Sequence, residues 1–528
     1  MSWFAGFLGN KREAVLQLAL IAGILVNLNV LATRGVWRFD LTENRRYTLS
    51  EASRAIARGL EDPVTVTAYF SDGLPPEFAQ AEQQFRNLLD EFRAYAGGNL
   101  EYAFVNPNES DETELAAQQA GIRPVMLDVR ERDRITQRRA YLGAVFQYGE
   151  EREVVPLIEP GAALEYTIAS TVKQLTQETK PQVGLLQGHG EPSQQAMLQL
   201  VEELRKRYTV TNVTGIDTAG VPPETEVLLV VAPEEALSQD ELVAIDQYLM
   251  RGGRAVFALN RVQTNLRFGT ARPLDTGLET LLEGYGLPLT ADLVRDQNAS
   301  PVQVSQQQGM FNVINQIRYP YIPQIVDFAD HPITGGLETV AMEFVSSLDT
   351  SRVDSTLTLT VLARSSDRAG RARGMFNLDP LQEWSAADFG EAHLPVAALL
   401  EGPLPSAFAE VDTVAVERTA GQPTALVVIG DGDFVVNGQG QQAQLLPEDN
   451  VSLVLNSVDY LADDTGLIAL RTKGVTNRPL ALLEDGTRTL LKYLNVFLPI
   501  VLVVGYGAVR YRRRQARRRR WQQMEVYA

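Results

Sequence analysis

Hydrophobic positions along the chain fall into two regimes. Two runs are apolar almost without a break. The first, 14–32, carries no charge, and the second, 490–509, carries only Lys492. A helix rises 1.5 Å per residue, so about 20 residues cross a hydrocarbon core of roughly 30 Å. Both runs therefore predict transmembrane helices. Between them the pattern is that of a folded α/β body. Val64 to Phe70 alternates and predicts a strand. Phe78 to Ala96 sets Phe85, Leu88, Leu89, Phe92 and Tyr95 on one helical face. Leu100 to Val105 predicts a second strand and Asp111 to Ala120 a short helix. Val125 to Val129 and Ala140 to Tyr148 predict a pair of strands.

After a connecting helix, Ala162 to Gln177, the apolar segments become shorter and more continuous. Val183 to Leu186, Val227 to Val231, Ala255 to Leu259 and Thr424 to Ile429 predict buried strands. Helices are predicted over Gln194 to Arg207, up to Met250, and over Leu453 to Leu461. Ser238 with Glu241 forms a capping box before the second of these, and Gly252-Gly253 ends it. Short apolar strands alternating with amphipathic helices predict a parallel, doubly wound sheet. Asn298 to Gln324, rich in Gln and Asn, reads as a loop insertion or lid. Asp367 to Ala392 reads as an exposed excursion.

Charge changes the picture at the ends. The chain of 528 residues has a formal net charge of −18. Lys11 and Arg12 precede the first apolar run. Arg510, Arg512, Arg513 and Arg514 open an Arg-rich tail after the second. Positive flanks face the cytoplasm, so both termini are expected there, and 34–489 is expected outside an inner membrane. That middle segment nets −27, because Glu13 and Lys492 cancel. A body this acidic disfavours nucleic acid, which is bound through cations at its phosphates. The predicted organisation is a tail and anchor (1–33), a membrane-proximal helix (34–61), a first domain (62–158), a helical linker (159–180), a second domain (181–475), a linker (476–489), an anchor (490–509) and the tail (510–528). Cleavage after Ala32 is the competing reading of the first run. Its length favours an uncleaved anchor over a signal peptide.

Candidate chemistry is sparse. There is no Cys, which removes disulfides, thiol redox and Cys nucleophiles. No P-loop, dinucleotide fingerprint, G-x-S-x-G elbow or H-E-x-x-H occurs. The strongest candidate is His189 with Glu191, bracketed by Gly188 and Gly190 just past a buried strand. In open α/β sheets, ligands bind at that edge. Asp431 and Asp433 end another strand on the same expected edge. The competing reading makes both groups tight or solvated turns. His331-Pro332-Ile333-Thr334 reads as the start of a helix or turn. No metal or cofactor is expected.

The β-α-β-α-β-β order of the first domain resembles a thioredoxin fold, with Pro124 where that fold keeps its proline, but without the redox motif. FDLTENRRYTLSEAS (39–53), GHGE (188–191), RGGRAVFAL (251–259), HPIT (331–334) and GDGDFV (430–435) together resemble the auxiliary component of ABC-2-type transport systems. That group includes the gliding-motility ABC transporter auxiliary protein. The resemblance implies a flavodoxin- or amidotransferase-like second domain without its Cys nucleophile. It also implies a non-ATPase subunit working with a permease and a separate cytoplasmic ATPase at the lipid bilayer. Two functions are carried forward. One is a non-catalytic binding or gating subunit. The other is an envelope hydrolase or lyase using His189, Glu191 and Asp431.

Overall fold

The computed structural model describes residues 48–473, apart from 132–133, 178, 267–268, 309–310, 375, 410–416, 419 and 441–442. Near the ends it also describes Leu20, Gly23, Phe497, 504–509, 511–513 and 515–516. Residues 1–475 and 476–528 are separate compact units.

The first lobe begins with α1 (Glu51–Arg58). Ser50 caps it by accepting from the Ser53 N–H at 3.1 Å. Then come β1 (Val64–Phe70), α2 (Pro76–Tyr95), β2 (Leu100–Val105), α3 (Asp111–Gln119), β3 (Val125–Glu131), β4 (Arg134–Ala140), β5 (Leu142–Tyr148), β6 (Glu151–Val155) and α4 (Leu164–Thr176). The sheet order is β2-β1-β5-β6, with β1 and β2 parallel and the other pairs antiparallel. Alternate residues of β1 (Val64, Val66, Ala68, Phe70) are buried against Phe85, Leu89 and Phe92 of α2 and Ile168 and Val172 of α4. Leu467 and Leu470, from the far end of the unit, belong to this same core.

The second lobe is built on β7 (Gln182–Leu186), α5 (Leu198–Arg207), β8 (Thr209–Val213), β9 (Thr225–Val231), α6 (Gln239–Met250), β10 (Arg254–Ala258) and α7 (Leu278–Gly284). It continues with β11 (Ala299–Gln308), β12 (Phe311–Ile325), β13 (Asp327–Phe328), β14 (Thr358–Arg364), β15 (Pro395–Pro405), β16 (Ala420–Ile429) and α8 (Glu448–Ala462). Its eight-stranded sheet runs β13-β14-β15-β16-β10-β9-β7-β8. The sheet is covered on both faces, which is why its strands read as continuous apolar runs. Val227, Leu229 and Val231 of β9 face α5 and α8, while Leu228 and Val230 face α6 and α7.

Three expectations are corrected. The main sheet is mixed rather than parallel throughout: β16, β10, β9, β7 and β8 are parallel, but β15, β14 and β13 add antiparallel strands. Those strands are joined by long connections, 329–357, 365–394 and 406–419, whose described residues form no α-helix, and an antiparallel pair needs no helical crossover. The thioredoxin-like reading places Pro124 before a strand of the first sheet. Instead Pro124 leads into β3, which among the described residues pairs with β4 alone, and the antiparallel strand beside β1 is β5. The third correction concerns the ends. Among the described residues no helix is long and apolar enough to cross a membrane, so those residues support a mixed α/β fold class and not the transmembrane helix expected at each end. The runs 14–32 and 490–509 lie almost wholly outside the described residues, as do Lys11, Arg12, Arg510 and Arg514. Arg512 and Arg513 are described and are exposed. The stretch read as a loop or lid, Asn298 to Gln324, is the β11–β12 hairpin.

Candidate functional site

Four parallel strands of the main sheet deliver their carboxyl ends to one rim. Gln187–Glu191 follows β7, Ala232 onward follows β9, Leu259–Asn260 follows β10 and Gly430–Asp433 follows β16. The chain passes from β7 to β8 on one side and to β9 on the other, so the crossovers reverse outside the end of β7. In an open α/β sheet that reversal opens the crevice where ligands bind.

Here the polar groups along the crevice are engaged by the protein itself. Gly188 (φ 126°) and Gly190 (φ 81°) take left-handed backbone, which turns the loop sharply. The His189 carbonyl then accepts from the N–H groups of Glu234 and Glu235, both at 2.8 Å. Its ring is held between two carboxylates. Nε2 meets Glu241 Oε1 at 2.9 Å, and Nδ1 meets Glu191 Oε1 at 3.3 Å. Glu191 also accepts from the His189 N–H at 2.7 Å, and its side chain is 1 % exposed. Glu241 serves α6 as well, accepting from the Ser238 N–H (2.8 Å) and hydroxyl (2.7 Å). Burial pushes the Glu241 pKa up, but the bonds from Ser238 and His189 outweigh it and hold the carboxyl below its ordinary range.

Asp431 is fully buried and tied to backbone. One oxygen accepts from the N–H groups of Asp433 (2.8 Å) and Phe434 (3.2 Å), the other from the Glu343 N–H (2.6 Å). Burial, then the nearby Asp433 charge, pushes its pKa well up. Asp433 reaches solvent at the rim, yet protein crowds its carboxyl, which accepts from the Asn260 amide at 2.9 Å. Burial is the main cause that raises its pKa to about 6. The Asn260 bond opposes the rise, and the charges of Glu343 and Glu234 add to it. Asn260 also accepts from the Gly432 N–H at 2.8 Å. A Cβ at Gly432 would stand 2.6 Å from the Ala258 carbonyl oxygen, so this position has room only for glycine.

The four predicted site residues lie on one rim as two pairs, His189 with Glu191 and Asp431 with Asp433. Among the described residues no hydrogen bond or ion pair joins His189 to Asp431 or Asp433. The other histidines are elsewhere. The His331 ring packs on Tyr460 (centroids 4.8 Å apart), burial lowers its pKa, and its segment is a turn closed by Thr334 onto the Ala329 carbonyl. His393 meets Asp327 at 3.0 Å. Among the described residues no group of His, Asp and Glu is arranged to hold a metal ion. The sequence reading missed Glu241 as a partner of His189, and missed Asn260 and Glu343 altogether. Asn260 was findable, because it follows a predicted strand at the same edge.

The family model described as an ABC-type uncharacterized transport system matches residues 180–462, and a model for a domain of unknown function matches 43–147. The chain belongs to the family of auxiliary components of ABC-type transport systems. It is 23% identical over 363 residues to an uncharacterized protein of Borreliella burgdorferi, covering 66% of this chain and 68% of that protein. Among solved structures, a mmIFT52 N-terminal domain aligns at 14% identity and TM-score 0.34, over 53% of this chain and 97% of that one. A putative ThuA-like protein from Bacteroides uniformis aligns at 13% identity and TM-score 0.29, over 54% and 93%.

Proposed function

We propose that this chain is a non-catalytic subunit of an ABC-type transport complex, whose body binds or gates the transported substrate on the extracytoplasmic face of the cell envelope. A permease and a separate cytoplasmic ATPase are its partners, since the sequence contains no P-loop of its own. The observation that carries the reading is a rim whose polar groups are bonded within the protein, in a chain of this family. Where an α/β enzyme of this layout keeps its reacting groups, His189 is consumed by Glu191 and Glu241, and Asp431 by three backbone amides. The hydrolase or lyase reading needs His189 free to reach a substrate, and its geometry does not favour that.

Affinity purification of the full chain from its native envelope in mild detergent tests the proposal. The expected result is recovery of a permease and an ATPase in fixed proportion. Recovery of neither, from cells in which the chain is abundant, removes the role.

A further inference from the structure

A cavity of about 830 Å³ lies between the two lobes, at the amino ends of β7, β8 and β9 and therefore opposite the His189 rim. Its walls come from β6 and α4 of the first lobe and from the ends of α5, α8 and β9 of the second. The volume is that of a site for a small organic molecule.

The charges on its walls decide which kind. Four cations and seven carboxylates line it. Three of the four cations are paired with a carboxylate. Lys173 Nζ meets Asp464 at 2.8 Å, Lys206 Nζ meets Glu203 at 2.5 Å, and Arg207 pairs with Asp459. Lys180 donates to the carbonyls of Arg205 (3.1 Å) and Lys206 (2.9 Å), at the end of α5. Asp459 is further held by the Tyr208 hydroxyl at 2.8 Å, and Asp463 accepts from the backbone N–H groups of Thr465 and Ile468. An anion entering this cavity finds one cation, Lys180, without a carboxylate partner among the described residues. A cation finds carboxylates to spare: Glu153 and Glu224 have no partner among the described residues, and Glu226 has only Arg254 at 3.6 Å. Glu153 stands on β6 in the first lobe, while Glu224 and Glu226 stand at the start of β9 in the second. The unpaired charges thus face the cavity from both lobes.

We propose that the interlobe cavity is a binding site for a small organic polycation of the linear polyamine class, whose separated ammonium groups meet Glu153 from one lobe and Glu224 with Glu226 from the other. This deepens the binding role proposed above and rests on it, by placing the ligand site between the lobes. A ligand with two separated charges bridges the lobes, whereas a monovalent amine satisfies one wall only.

The test is calorimetric titration of the purified full chain in detergent with spermidine, at physiological salt so that diffuse attraction to an acidic body is screened. Saturable binding is expected, at least tenfold weaker in E153Q/E224Q. It should be unchanged in the control E109Q/E112Q, which removes two exposed charges far from the cavity. Both targeted carboxylates lack partners, so the unfolding temperature without ligand should match the parent. Absence of saturable binding, equal weakening in both variants, or stronger binding of citrate than of spermidine overturns the proposal. If spermidine fails while permease and ATPase are still recovered, the site falls and the transport role stands. If the partners fail while spermidine binds, the role falls and the site stands.

Discussion

Asp433 shows how one carboxylate can report on the rim. Its pKa is raised to about 6, mainly by burial, while an unfolded chain leaves an aspartate near 4. Between those values the folded state holds more protons than the unfolded one. Stability contributed at this position is therefore present at acid pH and is lost as pH rises from about 4 through about 6. Asp433→Asn removes the titration and keeps an oxygen for the Asn260 amide. Relative to the parent, the variant should gain stability across that window and keep the gain above it. Asp433 reaches solvent, so screening holds the gain below about 1 kcal/mol. Urea unfolding of both proteins from pH 4 to 7.5 measures it, and parallel curves would refute the assignment. At this scale the sequence was half legible. Glycines around His189 after an apolar strand pointed to the rim. The partners could not be read, because Glu241 is 52 residues from His189 and Glu343 is 88 from Asp431.

Elements were legible where local chemistry and packing agree. Helix α6 begins after Ser238 and runs to Met250, as its capping box and following glycines predict. The box also holds Glu241 toward His189, so it ties the helix to the loop after β7. Ser238→Ala should cost about 1 kcal/mol, the usual loss for an N-cap, with faster amide exchange in the first turn of α6. Unchanged exchange there would mean that tertiary packing alone holds the helix end. The β11–β12 hairpin was misread because Gln and Asn dominate its composition. The period of two was nonetheless present, with Val302 across from Ile317 and Val304 across from Asn315. The strand β14 was missed although Thr and Leu alternate from Thr356 to Thr360. Its partner β15 belongs to the antiparallel part of the sheet, which a search for strand–helix alternation passes over.

At the scale of the whole body, chain order and packing order diverge. The chain leaves the first lobe through α4, builds the second lobe, and returns after α8 to place Leu467 and Leu470 in the first lobe's core, each 4 % exposed. The return is pinned by polar contacts on both sides. Lys173 of α4 meets Asp464, and Arg471 donates to Asn456 of α8 at 2.5 Å while standing 5.9 Å from the Tyr166 ring of α4. No periodicity could reveal this, since an apolar pair after a helix reads the same whichever core it enters. The consequence is that the first lobe is incomplete without residues lying some 290 positions away in sequence, as Lys173 and Asp464 are. Leu470→Ala leaves a cavity under α4 and should cost about 3 kcal/mol, the range for a buried Leu truncated to Ala. Because the lost contacts belong to the first lobe, amide exchange should rise in α4 and β5 and stay unchanged in β9 and β10 at the centre of the main sheet. A rise confined to the second lobe, or none at all, would show that the returning segment contributes nothing to the first core. The same pattern bears on the cavity between the lobes, since Asp463, Asp464 and Leu467 form part of its wall. A ligand held there touches the segment that links the two cores, so polyamine binding should slow exchange in α4 of the parent and fail to do so in E153Q/E224Q.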